Sequence, residues 1–196
     1  MLDGVRVKTY PAQAVDRREI LRYAGCQTET AELGVALDEC LRLCDNAFSY
    51  RVCYSVWTVE HFFEVFGKAS QTANTRLAAC EYVVLFAGTV GLEIDRLIAK
   101  YASVAPSKAV LLQGLGAERI ESLCDAFCQD VAAQAAEKGY RAKTRFSAGY
   151  GDFSLTAQKE IFLALDCARK IGLTLTDSLL MSPTKSVTAI VGIGKQ

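Results

Sequence analysis

Arg145-Phe146-Ser147-Ala148-Gly149-Tyr150 is the stretch whose residue types and spacing best suit chemistry. An arginine at the end of a strand offers a planar fork of donors that holds a carboxylate bidentately. A glycine four positions on lets main chain approach a ligand closely, and the tyrosine beside it supplies a flat ring and a hydroxyl. Taken alone, the string also describes a strand end followed by an ordinary glycine turn.

Cysteines form a rival set. Cys40 and Cys44 stand one helical turn apart, as do Cys124 and Cys128, so two thiol pairs point the same way. Four thiolates would suit zinc or an iron–sulfur cluster, and a thiol–metal or redox protein stays open on that ground. Against it, neither pair has Cys-x-x-Cys spacing, and both fall on apolar helical stripes where a thiol acts as a small hydrophobe. The single histidine, His61, lies in Val59-Glu60-His61-Phe62-Phe63 and reads as a helix or loop residue with no catalytic part.

The elements that must position these residues follow from periodicity. Val5 to Tyr10 predicts a short edge strand ended by Pro11, which has no N–H to donate. Asp16 with Glu19 resembles a capping box for a helix reaching Gly25, and Thr30 or Glu32 starts a second helix with Leu33, Leu37, Cys40, Cys44 and Ala47 on its core stripe. From Tyr50 to Val59 the period becomes two, with both faces largely apolar, as in a covered strand. Gln71 to Ala79 predicts a helix, Tyr82 to Ala87 a buried strand, and Ile94, Leu97, Ile98 and Tyr101 the inner face of a helix ending near Pro106.

The longest helical signal runs from about Lys108 to Lys138, with Gly139 as its cap. Gly114 and Gly116 interrupt it, so either the helix begins after them or something packs closely against them. Arg141 to Phe146 predicts the strand that delivers Arg145, Ser154 or Thr156 starts a helix ending at Gly172, and Val187 to Ile193 alternates as a final strand. Strands separated by loops or by two helices favour an α+β domain, with an antiparallel or mixed sheet and several packed helices, over a doubly wound one.

Composition narrows the function. Of 196 residues, 51% are hydrophobic, enough for an ordinary core, and one domain spanning residues 1–196 is the simplest organisation. Lysine plus arginine and aspartate plus glutamate both total 22, which gives no positive field to draw nucleic acid. No apolar run is long enough for a membrane span or a secretory signal, and with the cysteines on core stripes a reducing cytoplasm is expected.

The Arg145 to Tyr150 segment resembles the Arg-x-x-x-Gly-Tyr signature of the activation domain of cobalamin-dependent methionine synthase, as a free-standing form. Gly91 to Tyr101, Val110 to Val131, Gln158 to Ile171 and Leu175 through Val187 fall in that family's order, and the similarity is strongest over residues 80–193. The resemblance implies a C-shaped α+β domain that binds S-adenosylmethionine. Arg145 would clamp the ligand carboxylate, with the backbones of Ser147 and Gly149 and the side chain of Tyr150 on the rest. Glu121 falls where the family has an acidic residue near the cleft, and an anion there would favour a sulfonium or an ammonium.

By the same resemblance, the chain would serve reductive methylation of cobalamin on a methionine synthase or related corrinoid protein, with a flavodoxin-like electron donor. Methyl transfer to cob(I)alamin would need that partner, because the cobalamin-binding Asp-x-His-x-x-Gly motif fails here at Val59. Where the family continues with proline after the tyrosine, this chain reads Gly151-Asp152-Phe153-Ser154, and Val191 stands where a last-strand tyrosine is expected. A module that docks on a corrinoid protein without using S-adenosylmethionine is the other reading of the same fold.

Overall fold

Side chains that end one element and start the next punctuate the first third of the chain. In this computed structural model, which describes residues 4–67 and 70–195, strand β1 is Arg6–Thr9 and helix α1 is Arg17–Tyr23. Asp16 caps α1 by accepting the Glu19 N–H, and Thr30 caps α2 (Ala31–Leu43) by accepting from Leu33, so both predicted starts hold. Strand β2 (Arg51–Thr58) stops one residue short of the predicted Val59 because the Thr58 hydroxyl caps α3 (Val59–Phe66) by accepting the His61 N–H.

Helix α4 (Gln71–Leu77) leads to β3 (Tyr82–Thr89), then α5 (Glu93–Val104) and the 31-residue α6 (Pro106–Ala136). Proline at the first position of α6 costs nothing, since that N–H has no intrahelical partner anyway. The helix runs through Gly114 and Gly116, which settles the two alternatives in favour of close packing. A Cβ on Gly114 would lie 2.5 Å from the Ile20 carbonyl oxygen, and one on Gly116 would lie 2.9 Å from Lys185 Cγ.

Strand β4 (Tyr140–Ala142), helices α7 (Ala157–Leu165) and α8 (Cys167–Ile171), the short hairpin β5 (Thr174–Leu175) and β6 (Met181–Ser182), and β7 (Ser186–Lys195) complete the chain. The single helix predicted up to Gly172 is two: Asp166 takes a left-handed conformation, φ 49°, and breaks it. No glycine or proline marks that break, so the local pattern gave no sign of it.

One antiparallel sheet in the order β1-β2-β3-β7-β4 carries both cores. Its pleat sends Val52, Val84, Phe86 and Val191 to one face, under α1, α2 and α6, and Cys53, Trp57, Leu85 and Ile190 to the other, under α3, α7 and α8. Strands buried on both faces read as nearly continuous apolar runs. Each fully buried leucine or phenylalanine contributes about 1.5–3 kcal/mol.

Candidate functional site

Arg145 reaches its place through a fault in the sheet. The predicted strand Arg141 to Phe146 is regular only over Tyr140–Ala142. There Ala142 faces Ile193, whereas Phe146 faces Ile190 in an isolated bridge with hydrogen bonds of 3.0 and 2.9 Å. The Arg145 side therefore carries one residue more than β7, a β-bulge. The extra residue turns Phe146 onto the α7 face, with Ile190, and leaves Arg145 on the α6 face, where Nη2 donates to Glu121 Oε2 at 2.5 Å and to Asp125 Oδ1 at 3.2 Å.

Beyond Phe146 the chain leaves the sheet, so β7 has an open edge from Ser186 to Thr188. A cleft of about 750 Å³ opens there, lined by Glu121, Arg145, Ser147, Ala148 and Tyr150 and backed by Gln158 and Thr188. Its volume suits a small molecule. Four of the five sequence-predicted residues, Glu121, Arg145, Ser147 and Tyr150, thus meet in one cleft. Gly149 does not line it: with φ 91° it forms the turn behind, its N–H donates to the Phe153 carbonyl at 2.7 Å, and a Cβ would lie 3.1 Å from Leu155 Cδ1.

Electrostatically, the mouth of the cleft holds a cation between two carboxylates. The Arg145 side chain is 21% exposed, Glu121 40% and Asp125 65%, so these are surface pairs worth about 0–1 kcal/mol that a ligand can exchange at little cost. Burial works against the guanidinium charge, yet the neighbouring acids hold its pKa above the ordinary arginine value. Tyr150, 70% exposed, presents an open ring.

The loop after Tyr150 closes onto α4. A Cβ on Gly151, φ 60°, would lie 2.5 Å from Thr72 Oγ1, so glycine is required there. Asp152 accepts from Thr72 N at 2.9 Å, Gln71 N at 2.5 Å and Ser70 Oγ at 3.0 Å, which satisfies the first N–H groups of α4. Hydrogen bonds from Thr72, then Gln71 and Ser70, hold its carboxyl well below the usual range.

Among the cleft residues that sequence reasoning missed are Gln158 and Thr188. Gln158 shares a helical face with the buried Ile161 and Leu165, so a polar residue on an apolar stripe was a usable signal. Thr188 carried none, because its exposure to the cleft depends on the bulge.

The rival features lie elsewhere. Cys40, Cys44 and Cys124 are buried in the core that α2 and α6 form with the sheet, and burial pushes the thiols of Cys44 up to about 12 and Cys128 to about 11. Among the described residues, no group of three or more histidine, cysteine, aspartate or glutamate side chains is arranged to hold a metal. His61 sits on α3 beside Glu64, its ring 4.7 Å from Trp57. A more apolar cavity of about 330 Å³ lies between the sheet and the end of α6, by Tyr54, Tyr82 and Phe127. Its rim is paired internally, with Lys8 Nζ and Tyr10 OH both on Asp130 Oδ2 at 2.5 and 2.6 Å.

Residues 69–196 match the family described as vitamin B12 dependent methionine synthase, activation domain. The chain belongs to that family. The match begins just ahead of α4 and takes in β3, α6, the bulge and the whole cleft wall. Among solved structures, the chain is similar to the MetH reactivation domain bound to AdoHcy, at 15% identity and a TM-score of 0.66, over 96% of this chain and 78% of that one. The likeness extends the activation-domain fold to the N-terminal elements β1 to α3, outside the family match. No curated protein matches by sequence. Among the described residues no helix is long and apolar enough to cross a membrane.

Proposed function

We propose that this activation-domain chain, folded as one domain, binds S-adenosylmethionine in the cleft at the open edge of β7. It would present the ligand to a cobalamin carried by a methionine synthase or a related corrinoid protein, while a flavodoxin-like protein supplies the electron. The observation that carries the reading is the Arg145–Glu121 pair at the cleft mouth beside Tyr150. The amino-acid end of the ligand is itself a zwitterion. Its carboxylate takes donors from Arg145, whose Nε and Nη1 have no hydrogen-bond partner among the described residues, and its ammonium takes the Glu121 carboxylate. One ion pair becomes two with no net charge buried, which keeps the desolvation cost low.

The sulfonium supplies an electrophilic methyl group, and the chain's own residues position it. Ser147 and the turn fixed by Gly149 and Asp152 hold main chain against the adenosyl body, and the exposed Tyr150 ring covers one side. Family membership and the fold shared with a reactivation domain bound to AdoHcy both favour this reading.

Calorimetric titration with S-adenosylmethionine tests it. Arg145→Ala is expected to weaken binding by about 2 kcal/mol or more, since the ligand carboxylate loses its charged partner. Its thermal midpoint should stay near that of the parent. Absence of binding at millimolar ligand, with and without a corrinoid protein, overturns the proposal and leaves docking without S-adenosylmethionine as the role of the fold.

A further inference from the structure

Two buried oxygens on the wall of the cleft have no hydrogen-bond partner among the described residues: Gln158 Oε1 and Thr188 Oγ1. Their residues are 5% and 1% exposed, and an unpaired polar atom at such depth is destabilising. Both belong to the one cavity that also holds Arg145 and Glu121. The neighbouring Ser186 hydroxyl, by contrast, is settled, donating to Pro183 O at 2.7 Å and paired with the Thr89 hydroxyl at 2.9 Å.

Main chain adds a second donor and acceptor at the same place. Ile190 exchanges both its hydrogen bonds with Phe146, and Gly192 O accepts from Lys143 at 2.8 Å. The even-numbered residues of β7 therefore aim their backbone groups toward the β4 side. Thr188 is the next of that set, and the strand that would have paired with it has turned away at Ser147. Its N–H and C=O face the open edge.

We infer that Gln158 and Thr188 form a neutral subsite that reads the hydrogen-bonding edge of the adenine base, a specificity determinant of the proposed S-adenosylmethionine site on which this inference rests. Of the charged groups of the cleft, Arg145 and Glu121 suit the zwitterionic end of the ligand, and Arg76 lies over the Phe146 ring, 5.7 Å from its centroid. The side chains of Gln158 and Thr188 are themselves uncharged, planar at Gln158, and offer donors and acceptors side by side. A side-chain amide pairs with adenine in this way, accepting from the exocyclic N–H and donating to a ring nitrogen. Adenine's exocyclic amine supplies the N–H that Gln158 Oε1 lacks.

A protein–ligand double-mutant cycle tests the pairing. The probes are S-adenosylhomocysteine and its analogue bearing hydrogen in place of the exocyclic amine, titrated into the parent and into Gln158→Leu. The parent is expected to prefer the amine-bearing ligand by about tenfold, the range of one hydrogen bond to a buried acceptor. Gln158→Leu should bind the two alike, with the whole loss falling on S-adenosylhomocysteine. Thr188→Val, close to isosteric, should lose at least about threefold on the same ligand and guards against a folding defect at Gln158.

Without ligand, both variants should melt at or above the parent temperature, because each removes an unpaired buried oxygen. Unchanged S-adenosylhomocysteine affinity in both variants, or a tenfold preference that survives in Gln158→Leu, overturns the inference while leaving intact a site that still depends on Arg145. If the parent binds neither probe, this inference falls together with the reading beneath it.

Discussion

Arg119 and Gln158 are both polar side chains almost wholly enclosed by protein, and the structure treats them in opposite ways. Arg119, 2% exposed, donates from Nε and Nη2 to the two oxygens of Glu118 at 2.5 Å, and from Nη1 and Nη2 to Gln13 O and Ala14 O at 2.7 and 2.9 Å. Glu118 Oε1 also accepts the Asp16 N–H at 3.2 Å, which ties the segment before α1 to α6. Gln158 Oε1 accepts nothing from the described residues. A buried polar network whose members are all paired is complete as architecture, whereas an unpaired group in a cleft wall keeps its hydrogen-bonding capacity for a partner from outside.

The sharpest way to break that contrast is to open the satisfied network. Arg119→Ala leaves Glu118 buried with an uncompensated charge and frees two carbonyls, so an unfolding free energy lower by about 3–5 kcal/mol is expected in denaturant melts. An unchanged midpoint would show the pair to be as dispensable as a surface one. A smaller effect is expected where α1 meets the same helix. Gly114→Ala gains about 1 kcal/mol of helix propensity. It also drives a methyl into the Ile20 carbonyl oxygen, backbone that cannot rotate aside, at 2.5 Å. Overpacking of this kind costs about 1–3 kcal/mol, so a net loss is expected. A stability gain would mean that α1 can shift away from α6.

Much of the fold was legible because its signals are local. The caps at Asp16 and Thr30, the two-residue period of β2 and β7, and the apolar stripe of α2 each act over a few residues, and each appears where expected. Cys40 and Cys44 followed the stripe into the core for the same reason. What stayed hidden depends on contacts distant in sequence. The two glycines of α6 make sense only against Ile20 and Lys185. The break at Asp166 carries no glycine or proline. At the site, Arg145, Ser147, Tyr150 and Glu121 were found because a family motif and order named them, while Thr188 became part of the wall only through the bulge near Arg145. Phe146 pairs with Ile190 instead of continuing the register of Ala142 and Ile193, and no residue type announces that slip.

The mildest test uses pH and addresses the loop that supports the cleft from behind. Asp152 is exposed, yet its carboxylate collects the hydroxyl of Ser70 and the N–H groups of Gln71 and Thr72 at the start of α4. Hydrogen bonding favours the charged form, so the folded pKa lies below the unfolded value of about 3.9. For a lowered carboxylate pKa the native state holds fewer protons than the unfolded chain. The stabilisation is therefore complete above about pH 4 and is lost as pH falls through the folded pKa. Asp152→Asn keeps the shape and one acceptor oxygen but cannot titrate. Its melting temperature is expected to lie slightly below that of the parent at neutral pH, and the gap should close as acid removes the same charge from the parent. Hydrogen exchange at Gln71 and Thr72 should rise over the same interval, while exchange at the Arg119 network should not follow Asp152. A gap that persists at low pH would show that the loop is held by packing around Phe153 and not by this carboxylate.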